Sequence, residues 1–268
     1  MATTSTDELA TRRHSRRWWL RRLLYGALSG MTAYGFTVGP RWLRTRRLRF
    51  GDAPVARFAY FTDLHFKGDA ALLDKVLERI HAWQPDFALF GGDLVEEASF
   101  LEAVLGRLSA MSVPLFGVPG NHDYWSGVDF SRVDDAFRAT GGRWLLDEVV
   151  EPPGGKILLA GYACQGTGVA SKLLPANRGR RRAMALVHYP MWVERLAEPY
   201  DAVFAGHSHG GQVRLPGVGA LLTPAGVGPY ELGRFQTPAG PLYVSSGVGT
   251  FFLNVRFRCP PEVVLAEV

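Results

Sequence analysis

The chain has few cysteines and lacks short motifs that identify several common classes of protein. Only two cysteines, Cys164 and Cys259, occur in 268 residues. They lie far apart in the chain, which excludes the Cys-x-x-Cys pairs of a zinc ribbon or a thioredoxin-like motif. No Gly-x-x-x-x-Gly-Lys-[Ser/Thr] sequence occurs, which excludes a P-loop nucleotide site. The two thiols are expected to be buried as small apolar groups, or to form one disulfide in an exported protein.

The part of the chain that is expected to fold lacks an excess of positive charge. The formal net charge is +5, but the first 50 residues hold 11 arginines and two acidic residues. The remaining residues hold 19 lysines and arginines against 23 aspartates and glutamates. A nucleic-acid-binding domain needs basic residues on its folded surface, whereas here they are concentrated in the N-terminal tail. The sequence therefore predicts no nucleic-acid partner.

The N-terminal tail contains no long, strongly apolar run. Residues 23–40 are uncharged, but these 18 residues include four glycines, two threonines and a serine. Their number is near the lower limit for crossing a bilayer, and arginines flank them on both sides. We divide the chain into a basic tail, residues 1–50, with residues 23–40 as an anchor or signal segment, and a domain, residues 51–268.

Three interpretations of this tail stay open. The first is a membrane anchor, or a helix that lies on anionic headgroups. The second is an export signal, since Ser15 to Arg21 (SRRWWLR) resembles a twin-arginine signal. The third is an amphipathic helix packed on the domain. The first two interpretations predict association with the inner membrane of a bacterium, on either its cytoplasmic or its periplasmic face.

Short apolar runs alternate with helical patterns after the tail. Strand-like runs that end in polar or glycine-containing turns occur at 55–63, 86–93 and 114–123. Apolar residues at helical spacing predict helices at 71–83 and 99–111. Shorter strand-like runs follow after residue 150. This order predicts an α/β fold in which helices cover a sheet.

Polar side chains follow five of the predicted strands. They are Asp63 and His65; Asp93; Asn121, His122 and Asp123; His188; and His207 and His209. Ligands of an open α/β sheet bind beyond the carboxyl ends of its strands, so we expect these side chains at one edge. Five of the seven histidines of the chain belong to this set. Taken singly, each of these motifs is more typical of a turn or of a structural histidine than of a metal site.

Taken in order, the motifs Asp-x-His, Gly-Asp, Gly-Asn-His-Asp, His and Gly-His-x-His resemble the signature of the calcineurin-like metallophosphoesterase superfamily. They span residues 63–209. The segment that begins GHSHGGQVRLPG resembles the small, membrane-linked bacterial branch, which includes UDP-2,3-diacylglucosamine pyrophosphatases and phosphodiesterases with twin-arginine signals. The resemblance implies a four-layer αββα sandwich, with two mixed β-sheets flanked by helices.

The resemblance also implies a site for two divalent metal ions, with Mn as the first candidate and Fe or Zn as alternatives. One metal would be held by Asp63, His65, Asp93 and His209. The other would be held by Asp93, Asn121, His188 and His207, so that Asp93 bridges the two.

The same resemblance gives His122 the role of the acid that protonates the departing oxygen, and gives Asp123 the role of orienting the His122 ring. Between His207 and His209 we expect an extended chain, because alternate residues of an extended chain project to the same side. Ser208 would then face away from the site and have no role.

The motifs predict a metal-dependent phosphoric ester or anhydride hydrolase. With the tail, they favour a phosphorylated, amphiphilic substrate at a membrane, and UDP-2,3-diacylglucosamine, a lipid A precursor, is the first candidate. The alternatives are an exported phosphodiesterase or phosphatase that acts on cell-envelope lipids or polymers, and a catalytically silent metal-binding scaffold. The oligomeric state stays open.

Two further sets of residues have a functional and a structural interpretation. The basic run at 178–182 either is a solvated loop or holds a pyrophosphate or headgroup through its arginines. These are Arg178, Arg180, Arg181 and Arg182. The aromatic residues Trp192, Phe251 and Phe252 either line a groove for an acyl chain or belong to the core.

Overall fold

The structure is a computed structural model that describes residues 16–165 and 168–268. The first strands, in chain order, are β1 (Arg44–Arg49), β2 (Arg57–Phe61), β3 (Phe87–Phe90), β4 (Leu115–Gly117), β5 (Arg143–Trp144), β6 (Glu148–Val150) and β7 (Ile157–Gly161). They are followed by β8 (Arg182–Val187), β9 (Ala202–Ala205), β10 (Arg214–Leu215), β11 (Gly219–Ala220), β12 (Gly233–Thr237), β13 (Gly240–Val244) and β14 (Glu262–Glu267). The α-helices are α1 (Arg16–Thr37), α2 (Ala71–Trp83), α3 (Leu101–Leu108), α4 (Asn121–Trp125) and α5 (Phe130–Ala139).

Two mixed sheets of six strands each form the centre of the fold. The first has the order β1-β14-β2-β3-β4-β5, and its strands β2 to β5 are parallel. The second has the order β12-β13-β9-β8-β7-β6, and its strands β13, β9, β8 and β7 are parallel. In the first sheet Phe61 pairs with Phe90, which is level with Gly117. The loops that follow these strands therefore start at the same edge of the sheet.

The sheets pack face to face through side chains that alternate along their strands. Phe58 and Tyr60 of β2 point between the sheets, where their rings lie 5.2 and 5.1 Å from that of Phe204. Ala59 and Phe61 point to the other face, which the helices α2, α3 and α5 cover. A strand buried on both faces reads as a continuous apolar run, as residues 58–61 do. The expected mixed α/β fold with two large sheets flanked by helices is confirmed.

The basic segment that precedes residue 51 is part of the first sheet. β1 pairs in parallel with β14 from Arg44, opposite Glu262, to Arg49, opposite Glu267. Its arginines lie along the free edge of the sheet, and charged side chains on an edge strand discourage pairing with another chain. Leu48 packs against the core between the sheets. The folded unit therefore begins before residue 51, contrary to the expected division of the chain.

Helix α1 extends from the domain rather than packing along it. Gly35 is its one buried residue. Gly35 lies beside Val255 and accepts a 2.9 Å hydrogen bond from the Arg256 N–H, so the last turns hold the helix to the domain. This arrangement differs from the packed amphipathic helix of the third interpretation. In the described ranges no helix has the length and apolarity needed to cross a membrane. Ser15, which begins the twin-arginine-like stretch, lies outside the described residues.

Candidate metal centre

The loops after β2, β3 and β4 of the first sheet meet those after β8 and β9 of the second. They bring together all seven side chains that the sequence predicts as metal ligands, and each of these residues is buried. The seven are Asp63, His65, Asp93, Asn121, His188, His207 and His209. The site is therefore built from both sheets.

The first group of possible ligands is Asp63, His65 and His209, whose ligand atoms lie within 4.8 Å of one another. His209 Nε2 is 3.1 Å from His65 Nε2 and 3.7 Å from Asp63 Oδ1. His65 Nε2 is also 3.3 Å from Asp93 Oδ2. The loops after β2, β3 and β9 thus bring possible metal-ligand atoms to one point.

The second group is Asp93, His188 and His207, again within 4.8 Å. His188 Nε2 lies 3.3 Å from Asp93 Oδ2 and 3.0 Å from Asn121 Oδ1. The same Asp93 oxygen is therefore 3.3 Å from a histidine nitrogen of each group. This position between the two groups suits a carboxylate that is shared by two cations.

The outward ring nitrogens of three histidines show that the inward ones carry lone pairs when the rings are neutral. His65 Nδ1 is 2.9 Å from Glu96 Oε2, and His188 Nδ1 is 2.8 Å from the Gly91 carbonyl oxygen. His207 Nε2 is 2.7 Å from the Ala225 carbonyl oxygen. Carboxylate and carbonyl oxygens accept hydrogen bonds, so these nitrogens bear the proton, as they commonly do in metal-binding histidines.

The inward nitrogens of His65 and His188 both face the Asp93 carboxylate. A neutral His65 or His188 turns a lone pair toward the Asp93 carboxylate, and lone pairs repel unless a proton or a metal ion intervenes. His209 Nδ1 is buried and has no hydrogen-bond partner among the described residues. The donor set of imidazoles and carboxylates therefore fits divalent metal ions.

The pKa values of His65, His188 and Asp93 also indicate that positive charge stabilises this site. Burial lowers the pKa of His65 and His188, but their interactions with Asp93 and with other nearby acceptors outweigh burial and raise both to about 9. Burial raises the pKa of Asp93, but the positive charge of His188 and hydrogen bonds from both histidines hold it well below its usual range. Without metal, protons on two histidines compensate the charge of Asp93. Bound cations would replace those protons.

Five ligand residues adopt the left-handed backbone region, which is uncommon outside glycine. They are Asp63 (φ 54°), His65 (40°), Asp93 (61°), His207 (64°) and His209 (47°). Such conformations cost about 1–2 kcal/mol each and cluster at functional sites. They turn the chain sharply after each strand, so that the following side chains point into the site.

The expectation of an extended chain between His207 and His209 is therefore wrong. Ser208 is helical (φ −70°, ψ −23°) between two left-handed residues. Its buried hydroxyl accepts a 3.0 Å hydrogen bond from the Gly210 N–H and lies 3.3 Å from the Ser245 carbonyl oxygen. Ser208 thus holds the turn together. Gly206 to Gly210 also matches the Gly-x-Ser-x-Gly pattern of serine hydrolases, but this hydroxyl is buried rather than exposed as a nucleophile.

Asp123 does not serve His122 in the way that the resemblance implies. Its buried carboxylate accepts hydrogen bonds from three backbone N–H groups, those of Asp93 (2.9 Å), Leu94 (2.8 Å) and Gly120 (2.8 Å). These contacts tie the loop after β4 to the loop after β3. Asp123 is therefore a residue that fixes the position of Asp93, not one that orients an imidazole.

His122 lies at the mouth of the site, and the carboxylate beside it is that of Glu96. Glu96 Oε2 is 3.8 Å from His122 Nδ1 and 2.9 Å from His65 Nδ1. Burial and the charge of His65 lower the pKa of His122. Sequence reasoning missed Glu96, although its place three residues after Asp93 on the same loop is a signal.

The basic run at 178–182 lies at the opposite edge of the second sheet. Arg182 begins β8, whereas His188 follows the end of that strand, and six extended residues span about 20 Å. Arg181 pairs with Glu151, and Arg182 lies 3.2 Å from Asp201. Arg178 contacts the Pro199 carbonyl oxygen and Arg180 lies in the same turn. The four arginines are thus held at the far edge, and the interpretation as substrate ligands is wrong for this structure.

An apolar cavity of about 350 Å³ opens beside His209. The loops at 221–224 and 251–255 line it, and they include Phe251 and Phe252. The Phe251 ring lies 5.4 Å from the His122 ring and 6.3 Å from that of His209. Trp192 does not line this cavity and packs instead against the core on the outer face of the second sheet.

The sequence profile of the family described as Calcineurin-like phosphoesterase matches residues 56–211, which is more than half of the chain. The chain belongs to this family. It is 28% identical over 257 residues to Phosphodiesterase YaeI of Escherichia coli, covering 90% of this chain and 94% of that protein. It is 27% identical over 278 residues to the Uncharacterized metallophosphoesterase YkuE of Bacillus subtilis, covering 94% and 96%.

Membership of the calcineurin-like phosphoesterases explains the composition of the site. The family uses divalent metals, and the matched residues 56–211 contain every member of the two ligand groups. The chain is therefore a metal-dependent phosphoester hydrolase, and the superfamily predicted from the motifs is confirmed.

Proposed function

We propose that the protein binds two divalent metal ions and hydrolyses a phosphodiester or pyrophosphate bond of an amphiphilic, membrane-associated molecule. UDP-2,3-diacylglucosamine is the first substrate to test. The observation that carries the proposal is the position of Asp93 between two histidine groups, in a site that opens beside an apolar cavity.

The residues of the chain divide the work of hydrolysis. Bound divalent ions supply an activated water and neutralise the charge of the phosphate, and Mn is the first metal to test, before Fe and Zn. Asp93 holds its carboxylate between the groups, since its Oδ1 accepts a 2.8 Å hydrogen bond from the His122 N–H. The His122 ring lines the small cavity that also contains Asn121 and His207. From there it would give its proton to the departing oxygen.

The amphiphilic nature of the substrate is proposed from the surroundings of this small cavity. Phe251 lines both this small cavity and the larger apolar one. A phosphate held at the metals could therefore continue, on the Phe251 side, into an alkyl chain. Alkyl chains gain roughly 0.8 kcal/mol for each methylene that leaves water.

The experiment that tests the proposal uses the full chain, loaded separately with Mn, Fe or Zn. We expect hydrolysis of bis(p-nitrophenyl) phosphate, and release of UMP from UDP-2,3-diacylglucosamine. Asp93→Asn and His122→Ala should lower the rate at least about 100-fold, because each removes a group that acts on the reacting phosphate. His81→Ala, which alters an exposed histidine on α2, is the matched control. A metal-replete, folded chain that hydrolyses no diester would contradict the proposal.

A second candidate substrate class is a lipid or polymer of the cell envelope, cleaved after export. The observations that favour it are the twin-arginine-like stretch and the similarity to Phosphodiesterase YaeI of Escherichia coli. The two candidates differ in the side of the membrane on which the site works, because UDP-2,3-diacylglucosamine is cleaved in the cytoplasm. A reporter enzyme fused to the C-terminus, active only outside the inner membrane, would distinguish them.

A further inference from the structure

Four large apolar side chains surround the outer end of the apolar cavity and point into solvent. We name Leu221, Leu222, Phe252 and Leu253 the collar. Their exposed fractions are 56%, 80%, 80% and 52%. Single exposed apolar residues are normal on soluble proteins, but a contiguous set at the mouth of a site marks an interaction surface.

The collar continues into helix α1. The loop that carries Phe252 and Leu253 runs on to Val255 and Phe257, which contact the last turns of α1. Val255 lies beside Gly35, and the Phe257 ring is 6.1 Å from the ring of Tyr34. Further along the helix, large apolar side chains are again exposed. These are Leu20, Leu23, Leu24, Tyr25 and Leu28. Exposed apolar side chains therefore occur both at the collar and along α1, and the loop that carries Phe252 and Leu253 joins the two.

The charges on helix α1 and directly after it have one sign. Helix α1 contains no acidic residue, and its first turns carry exposed arginines at 16, 17, 21 and 22. Arg41 and Arg44 follow the helix and are also exposed. Arg44 lies at the end of β1 that is level with the site, because it pairs with Glu262 at the start of β14, which runs antiparallel to β2. Arginine next to exposed apolar groups is complementary to anionic headgroups above acyl chains.

We propose that the collar and α1 together seat the mouth of the site on an anionic lipid surface. The collar side chains enter the acyl region and the arginines contact the headgroups. A phosphorylated amphiphile then passes from the bilayer along the apolar cavity to the metals without crossing water. This inference rests on the proposed function, to which it adds the route of the substrate.

The test compares vesicle binding of the full chain with that of two variants. Leu222→Gln/Phe252→Asn removes the two most exposed collar side chains, and asparagine suits the left-handed backbone of Phe252 (φ 57°). Leu146→Gln alters an exposed leucine outside the collar and is the control. The vesicles contain equal parts of phosphatidylglycerol and phosphatidylcholine. Hydrolysis of bis(p-nitrophenyl) phosphate is measured in the same samples without vesicles.

We expect the wild-type chain and Leu146→Gln to sediment with the vesicles. The collar variant should bind at least about tenfold more weakly, since each buried side chain contributes a factor of this order. Its circular dichroism spectrum should match that of the wild type, which shows that it is folded. If the variant binds vesicles as wild type does, or if wild type does not bind, the proposal is overturned.

A second copy of the chain is the alternative occupant of the collar. Light scattering of the wild type and of the collar variant, without vesicles, tests it. A wild-type dimer that the substitutions convert to a monomer would overturn the lipid proposal. A chain that binds vesicles through the collar but hydrolyses no diester would support this inference and contradict the proposed function, so the two can fail separately.

Discussion

Gly120→Ala is the substitution whose effect follows most directly from the structure. Gly120 has extended backbone (φ −98°, ψ 177°), so alanine meets no conformational penalty there. The added Cβ would, however, overlap Asp93 Oδ1 and lie 2.6 Å from the Asp93 backbone nitrogen. Asp93 is buried and its carboxylate lies between the two ligand groups. The methyl group therefore acts on the one ligand that both groups share.

The magnitude has two parts. Overpacking of a buried position costs about 1–3 kcal/mol of stability, which lowers the melting temperature of a domain of this size by roughly 2–4 °C for each kcal/mol. A displacement of the carboxylate by about 1 Å costs on the order of 100-fold in rate. We therefore expect a folded protein whose hydrolysis of bis(p-nitrophenyl) phosphate falls about 100-fold and whose metal content falls below two ions per chain.

Gly106→Ala is the matched control. Gly106 lies in α3, and a Cβ added there meets no group of the described residues within 4 Å. Alanine should stabilise this helix by about 0.5–1 kcal/mol and leave the rate unchanged. Circular dichroism, metal analysis and the diester assay are run on both variants. Gly120→Ala with the rate and metal content of wild type would refute the reasoning, because the site could then absorb the methyl group.

Three further predictions concern two carboxylates of the site and the arginines at the far edge of the second sheet. Glu96→Gln should keep the fold but weaken metal affinity about 10- to 100-fold, because Glu96 fixes the orientation of the His65 ring. Calorimetry measures this affinity, and an unchanged affinity would contradict the role of Glu96. Asp123→Ala leaves three buried N–H groups unpaired and should lower the free energy of unfolding in urea by at least about 2–3 kcal/mol, with a smaller loss for Asp123→Asn. A loss of activity without loss of stability would instead favour a direct role in catalysis. Arg181→Ala and Arg182→Ala should leave kcat/KM for the soluble diester within about twofold of wild type, because both arginines lie about 20 Å from the site. A large change in kcat/KM would indicate that these arginines contact the substrate after all.

The sequence predicts the ligands well because their positions follow a rule of topology. A polar residue directly after a buried parallel strand lies at the carboxyl edge of the sheet, whatever the details of its turn. The role of Asp123 could not be predicted in this way, because its partners Asp93 and Leu94 are about 30 positions away in the chain. The role of β1 was hidden for another reason. Its arginines read as a basic tail, whereas an edge strand tolerates them on its exposed sides.

Strain and cross-linking of the loops together determine the shape of the site. The left-handed backbone of the five ligand residues costs about 1–2 kcal/mol for each residue. The five costs together are comparable to the net stability of a domain. The carboxylates offset this cost by accepting backbone N–H groups from neighbouring loops. Asp63 accepts from His207, joining the loop after β2 to that after β9. The Asp93 carboxylate accepts a hydrogen bond from the His122 N–H. The Asp123 carboxylate accepts hydrogen bonds from the N–H groups of Gly120, Asp93 and Leu94. These bonds join the loops after β3 and β4.

These bonds cross between the two sheets as well as within one, since β2 and β9 belong to different sheets. The loops therefore hold one another in the strained conformation in which the ligand side chains converge. A bound cation would add positive charge to this arrangement. The inward nitrogens of His65 and His188 both face one oxygen of Asp93, and only a positive charge between them removes the repulsion. In this site the hydrogen bonds from backbone N–H groups to the carboxylates set the geometry. The negative charge of the same carboxylates favours the binding of cations.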